Sequence, residues 1–413
     1  MKKIIYTLTL ILLMFSASYA EDEILLEKSP LVPDFSVLEE GDPNVIGPLL
    51  ETEVEKVIDI SKPQELAPQS FKDNIIKAKN DVFKLKIENT RVPAVLFKEQ
   101  LTHKFKKGPL ESVHVWAGLK FNLQEDIPEK GDNDTIFKTA LINTFIDGKF
   151  KGGKEEFRIM LDPTPQHGHS TMQTLFQDMY IDSRRIPHHR ILIGHTRPGV
   201  GYEGANSSYT LPFAARSQIA RNFGTVRKLG ARVMGNYTLI DYDLGGYSSG
   251  TYFTSFFPGA EFDGFVSLKP LGKTDGKYGI LRIGGGVASG KRHSTNFTVY
   301  STYAGYEYKK FRIKAEFANA NGSNGLSGLT NKKRQGWSVT LYYLINPKLE
   351  AVARYDEFDP DKNIKHNNKR EYSAGLNWYI KGQALKVILN YVFCQNQGTK
   401  DSHRIILGTQ IAL

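Results

Sequence analysis

The chain of 413 residues carries 54 Lys and Arg against 44 Asp and Glu, a net charge of +10, with 40% hydrophobic residues, which excludes disorder throughout. A single cysteine, Cys394, excludes an internal disulfide framework and a thiolate zinc cluster. With 37 Gly, 20 Tyr and 24 Phe, the composition favours strands, turns and aromatic belts over long helices.

Residues 1–20 have the three parts of an export signal: a basic start at Lys2 and Lys3, an apolar run from Ile4 to Phe15, and the small residues Ser18 and Ala20 before the acidic Glu21. A single membrane anchor is the rival reading, but the run is shorter than the roughly 20 apolar residues that span a bilayer. No Cys follows Ala20, so a lipid-anchored start is unsupported. No later stretch has the length and apolarity of a transmembrane helix. That leaves a protein dissolved outside the cytoplasm or one that crosses a membrane by strands.

Residues 21–70 hold 13 acidic and three basic residues and six prolines, and read as an extended tail or linker that buries too little apolar surface to order itself. Within it Leu49, Leu50, Val54, Val57 and Ile58 fall near helical spacing, either a short fluctuating helix or a segment for an envelope partner. The whole of 21–110 is expected to be periplasmic and partly disordered, with 111–413 as the folded domain. Residues 101–413 carry a surplus of 15 basic groups. Export argues against nucleic acid as the reason, which leaves an anion pathway or an acidic lipid surface.

From residue 112 onward, segments of about ten residues alternate apolar with polar or small, separated by turn-rich stretches. Strands are predicted at 112–123, 134–147, 154–162, 173–183, 188–196, 226–234, 237–246 and 260–269, then at 277–288, 296–308, 311–320, 336–345, 348–357, 371–380, 384–394 and 402–413. The clearest is 371–380, where Tyr372, Ala374, Leu376, Trp378 and Ile380 make one oily face opposite Ser373, Gly375, Asn377 and Tyr379. Gly235-Asn236, Lys309-Lys310, Asn346-Pro347 and residues 381–383 read as tight turns, whereas 124–133, 321–335 and 360–370 read as long polar loops. Sixteen strands with short turns at one end and long loops at the other predict an all-β fold, a 16-stranded antiparallel transmembrane β-barrel. There every backbone group is paired and no sheet edge meets lipid. A soluble β protein also alternates, but sixteen strands around one interior leave a lumen too wide for side chains to fill.

The longest connector, 197–225, contains Arg197, Arg216 and Arg221 against Glu203, with small-residue runs at 199–204 and 214–215. Folded into the lumen it would narrow the channel and place guanidinium groups there, each a fixed charge with a donor fork suited to oxyanions. The arginines either select anions or pair with lumen groups and brace the loop. By strand parity Lys228, Arg232, Arg282, Arg312, Lys314, Arg354, Lys386 and Arg404 point inward, against Asp178, Asp182, Asp263, Glu316, Glu350 and Asp356. The constriction candidates are Arg197, Arg216, Arg221, Lys228, Arg232, Arg312 and Lys314, with no catalytic residue, metal or cofactor.

The run Phe176-Gln177-Asp178-Met179-Tyr180-Ile181-Asp182-Ser183, the stretch 190–198 ending Gly194-His195-Thr196-Arg197-Pro198, and Tyr202-Glu203-Gly204 together resemble the phosphate-selective porin O and P family. In that family one strand ends Asp-Ala-Tyr-Ile-Asp, the next ends Gly-Gln-Phe-Lys-x-Pro, and a Glu opens the inward loop. Residues 221–235, with an Arg-x-x-Gly shape, and Tyr355-Asp356-Glu357-Phe358-Asp359 fit as well. The resemblance covers about 112–413. It implies a trimeric sixteen-stranded outer-membrane porin in which an arginine ladder and a lysine cluster guide anions. Three departures stand out: His195-Thr196 replaces the usual pair, the loop offers arginines instead of lysines, and Leu413 stands where a terminal Phe is typical.

Catalytic motifs do not hold up. Gly246-Tyr247-Ser248-Ser249-Gly250 spells a nucleophile elbow but lacks the strand-to-helix turn of a parallel sheet. His167, His169, His188 and His189 lack further metal ligands at usable spacing, and Gly284-Gly285-Gly286 lacks the Lys and Ser/Thr of a phosphate loop. The sequence therefore predicts a non-enzymatic outer-membrane porin for passive diffusion of small anionic or neutral solutes, with outer-membrane lipid around it and a homotrimer as its assembly. The alternative is a barrel enzyme or adhesin acting through its extracellular loops.

Overall fold

Alternating side chains leave the backbone groups of every strand to be satisfied by neighbours, and here the pairing runs full circle. The computed structural model describes residues 95–413 apart from 165–174, 202, 205, 225, 251–255, 275 and 398–399. The expected signal at 1–20, the acidic segment at 21–70, His167 and His169 lie outside the described residues. A short strand, β1 (Thr102–Lys104), precedes β2 (Leu110–Pro128), β3 (Asp134–Phe150), β4 (Glu155–Leu161), β5 (Phe176–Ser183), β6 (His189–Thr196), β7 (Lys228–Asn236), β8 (Ile240–Ser248) and β9 (Ala260–Leu268). The chain continues through β10 (Ile280–Arg292), β11 (Thr295–Tyr308), β12 (Phe311–Gly325), β13 (Gly328–Asn346), β14 (Leu349–Asp359), β15 (Lys369–Gln383), β16 (Leu385–Asn396) and β17 (Ser402–Ala412). Each of β2 to β17 pairs antiparallel with the next, and β17 returns to β2, with Ser402 opposite Pro128 and Ala412 opposite Gly118. The result is a closed sixteen-strand antiparallel barrel, extended at one rim by β1 against Ser112–His114.

All sixteen predicted strands form, most within four residues of their expected bounds, while β2, β12 and β13 run five to eight residues further at their long-loop ends. The connectors correct the sequence reading in three places. Most of 124–133 and 321–335, expected as loops, is strand: only 129–133 separate β2 from β3, and Gly325 pairs with Gly328 around Leu326-Ser327. Beyond the lipid a strand meets water on both faces, so it keeps its backbone pairing without apolar alternation, and its polar sequence looks like a loop. On the short-turn side, the connector between β9 and β10 runs over 269–279, longer than the 270–276 left between the predicted strands.

The outward faces carry exposed apolar side chains, among them Val115, Ile181, Ile193, Phe262, Ile313, Leu341 and Tyr372. The inward positions between them are polar and buried. Near the long-loop end of the outer wall, Trp337, Tyr355, Tyr372, Phe393 and His403 form an unbroken row across β13 to β17, with neighbouring ring centroids 4.7, 4.9, 5.9 and 5.0 Å apart. Such a row is the aromatic girdle expected at a membrane interface. No helix among the described residues is long and apolar enough to cross a membrane.

Candidate functional site: the loop across the lumen

The connector between β6 and β7 enters the barrel instead of leaving it. Its path is fixed by small residues and caps. Gly201 takes a positive φ of 67°, where any side chain would also meet the Glu316 carboxylate. Ser207 Oγ accepts from Tyr209 N–H at 3.3 Å, beginning a 3₁₀ turn at Ser208–Thr210. Ser217 Oγ accepts from Ala220 N–H at 3.3 Å and caps the helix α1 (Gln218–Phe223).

Two apolar anchors hold the loop to the wall. Ile219 and Phe223 of α1 pack on Ala288, Val299, Ala318, Ala320 and Phe358 of β10 to β14. Tyr209 packs with Trp116, Phe145 and Met160, and its hydroxyl donates to Asn143 Oδ1 at 2.8 Å. Gly118 makes room for that ring: a Cβ there would lie 2.4 Å from Tyr209 Cζ. Polar clamps complete the seat. Asn390 Oδ1 accepts from Ala214 N–H at 2.9 Å, and Asp356 Oδ2 accepts from Gln218 N–H at 2.8 Å.

The loop arginines are bonded mainly inside the loop. Arg197 donates to Asn206 O at 2.8 Å. Arg216 donates to Glu203 O at 2.8 Å, to Asn206 O at 2.7 Å and to Ser208 Oγ at 3.1 Å. Burial lowers the Arg216 guanidinium to about 10 while nearby Glu203 opposes the shift, so it stays charged at neutral pH. Arg221 reaches the wall and pairs with Glu371 at 2.6 Å.

The wall candidates fall into two settings. Lys228 pairs with Glu261, and Arg232 donates to Arg197 O at 2.6 Å and lies 3.6 Å from Asp243, both in a densely paired part of the wall. Arg312 pairs with Glu350 and stacks over Tyr342 at 4.1 Å, and Lys314 Nζ lies 5.2 Å from the same ring. Arg312 and Lys314 therefore meet at one cavity of about 60 Å³ on the short-turn side of the loop, lined also by Glu203, Thr340 and Tyr379. Arg221 lines a separate cavity of about 350 Å³ on the long-loop side, with Glu371, Lys369 and Arg404. Arg197, Arg216 and Arg232 gather at the root of the loop, and Lys228 stands apart from them with Glu261 and Phe297.

Sequence reasoning passed over Lys120 and Tyr209. Lys120 donates to Ser208 O at 3.0 Å, and Lys386 donates to Tyr209 O at 3.4 Å and Leu211 O at 2.9 Å. Gly118, Lys120, Asn122 and Gln124 alternate with apolar residues, so parity applied to β2 would have found the lysine. The nucleophile-elbow spelling lies at the end of β8, where Ser248 Oγ donates to Phe256 O at 2.8 Å and no helix follows among the described residues.

The family model described as phosphate-selective porin O and P matches residues 281–411, which is β10 to β17 almost entire. The resemblance read from the sequence is thus borne out over that stretch, which includes the Tyr355 to Asp359 motif. Among curated proteins no sequence match is found. Solved structures of similar fold include the outer membrane channel DcaP of Acinetobacter baumannii, 13% identical, covering 75% of this chain and 99% of its own, with a TM-score of 0.53. The anion-selective porin from Comamonas acidovorans is 13% identical, covering 73% of this chain and 99% of its own, with a TM-score of 0.52. OmpT of Vibrio cholerae, folded in vitro in a trimer form, is 10% identical over 73% of this chain and 99% of its own, at 0.51. At these identities the likeness establishes the fold.

Proposed function

We propose that this porin-like outer-membrane barrel is a passive diffusion channel that prefers small anions, phosphate-like oxyanions included, over cations. One observation carries the reading. Lys120, Lys386 and Arg216 give their donors to backbone carbonyls of the inward loop, and none of the three has a carboxylate within 4.0 Å among the described residues. A carbonyl accepts the hydrogen bond without a neutralising charge of its own, so the Arg216 guanidinium, with the two lysine sites beside the same loop, biases the lumen toward anions where the loop crosses it. Arg197, Arg221, Lys228, Arg232, Arg312 and Lys314 order the loop and wall around it, four of them (Arg221, Lys228, Arg232 and Arg312) against carboxylates.

The short turns face the periplasm and the longer loops face outward, the orientation that outer-membrane barrels take. Assembly as a homotrimer agrees with the trimer form of the Vibrio cholerae OmpT. Residues 21–110 belong to the periplasmic side in this reading, with 21–70 available to an envelope partner. No observation favours an enzyme or an adhesin acting through the loops.

The test is electrical. The protein reconstituted in a planar bilayer should conduct in steps, and in a salt gradient its reversal potential should sit on the anion side. Lys120→Gln with Lys386→Gln should move it toward cations, and Arg216→Ala with Arg221→Ala should move it the same way. No channel activity, or a reversal potential indifferent to all four substitutions, sinks the reading.

A further inference from the structure

The two mouths of the barrel differ in charge. At the long-loop mouth the signs are mixed: Glu129, Lys130 and Asp132 share one connector, and Lys332 pairs with Asp361 at 3.3 Å. At the short-turn mouth, exposed lysines recur: Lys154, Lys277, Lys309, Lys348 and Lys381 stand at or beside five of the seven short-side connectors around the rim. Three acids of that rim are engaged by other cations. Glu111 is held by Lys149 at 3.5 Å, Glu156 by Arg184 at 3.5 Å, and Glu155 by Arg185. None of the five lysines has an ion-pair partner within 4.0 Å among the described residues.

Two of the lysines adjoin a second aromatic band on the outer wall. Lys277 Nζ lies 5.2 Å from the Tyr278 ring centroid and Lys309 Nζ 5.0 Å from that of Tyr308. Tyr306 stacks near Tyr308 at 6.5 Å, and Phe311 meets Tyr343 at 4.8 Å. Phe311 and Tyr278 are 65% and 56% exposed, as rings facing a lipid interface are. Aromatic rings mark the level of the headgroups. Ammonium groups stacked on those rings are therefore held at the level of the phosphates.

We propose that this rim binds anionic phospholipid of the adjoining leaflet, with headgroup phosphates held by Lys154, Lys277, Lys309, Lys348 and Lys381. The inference rests on the barrel spanning the membrane and is independent of the channel's ion preference. Continuity with the aromatic band favours lipid over a dissolved polyanion, which would need no rings beside the lysines.

The test is native mass spectrometry of the full chain released from micelles holding equal phosphatidylglycerol and phosphatidylcholine. Phosphatidylglycerol should be retained in clear excess. Changing all five lysines to Gln should cut the excess by at least about fivefold, the factor expected for even one lysine at an anionic surface. Changing them to Arg should preserve it, and a heat-modifiable gel shift confirms that each barrel is folded. Should the quintuple variant not fold, Lys348→Gln with Lys381→Gln, both at exposed turns, carries the same expectation. Equal retention of the two lipids, an excess unchanged in the Gln variants, or binding to purified cell-wall polymer with no lipid preference would overturn the proposal. A loss of anion selectivity alone would count against the channel reading and leave this one standing.

Discussion

The wall from β5 to β10, and β16 and β2 with the inward loop that crosses them, both carry buried cations, yet they dispose of the charge differently. On the first, Arg190 sits 2.5 Å from Asp182, Arg227 2.6 Å from Asp178, and Lys228 and Arg282 touch Glu261 and Asp241. On the second, Lys120, Lys386 and Arg216 touch carbonyls. Pairing cancels charge and leaves order; carbonyl binding leaves both the order and the charge. A count of inward lysines and arginines therefore misjudges a lumen, because what matters to a passing ion is which cations lack a carboxylate in contact.

The largest effect should come from breaking a pair on the cancelled side. Lys228→Met leaves Glu261 buried near Asp263 with no cation in contact, and should cost about 3–5 kcal/mol, read as a lowered guanidinium midpoint of the folded barrel. An unchanged midpoint would mean that side owes its order to something else. Next is Gly118→Ala, which forces the Tyr209 ring to shift. It should cost about 1–3 kcal/mol and raise open-channel current noise as the loop loosens. Tyr209→Phe removes one buried hydrogen bond to Asn143 and should cost about 1 kcal/mol with selectivity intact, which separates anchoring from field. The sharpest comparison involves the smallest change in stability. Arg185→Gln and Lys386→Gln each delete one positive charge, but Arg185 is exposed on a turn and paired with Glu155, whereas Lys386 is buried under the loop. Only the second should displace the reversal potential, and equal displacements would erase the distinction.

Much of this molecule is legible in its sequence, for a physical reason. Within the bilayer each strand has lipid on one side and water on the other, so Trp337, Val339, Leu341 and Tyr343 must alternate with Ser338, Thr340 and Tyr342. Outside the bilayer that constraint lapses, and the outer reaches of β12 and β13 escaped detection. Parity also placed Arg312, Arg354 and Lys386 inward, as they are. What it could not supply was the partner of each cation. Arg221 and Glu371 are 150 residues apart, and Lys386 and Tyr209 177, separations set by closure of the barrel and by the fold of one loop. The bracing role of Arg216 was one of two readings before, and its three bonds within the loop are now explicit.

The seam between β17 and β2 has a consequence for biogenesis. β17, which follows the other barrel strands in chain order, is hydrogen-bonded to β2, which precedes them, so until residues 402–412 emerge the growing barrel sheet has two open edges. Long-range closure of this kind is slow and exposes those edges to stray pairing. A truncation that removes only the final strand should thus be far more damaging than its eleven residues suggest, yielding an uninserted species cleared by envelope proteases instead of a slightly smaller barrel.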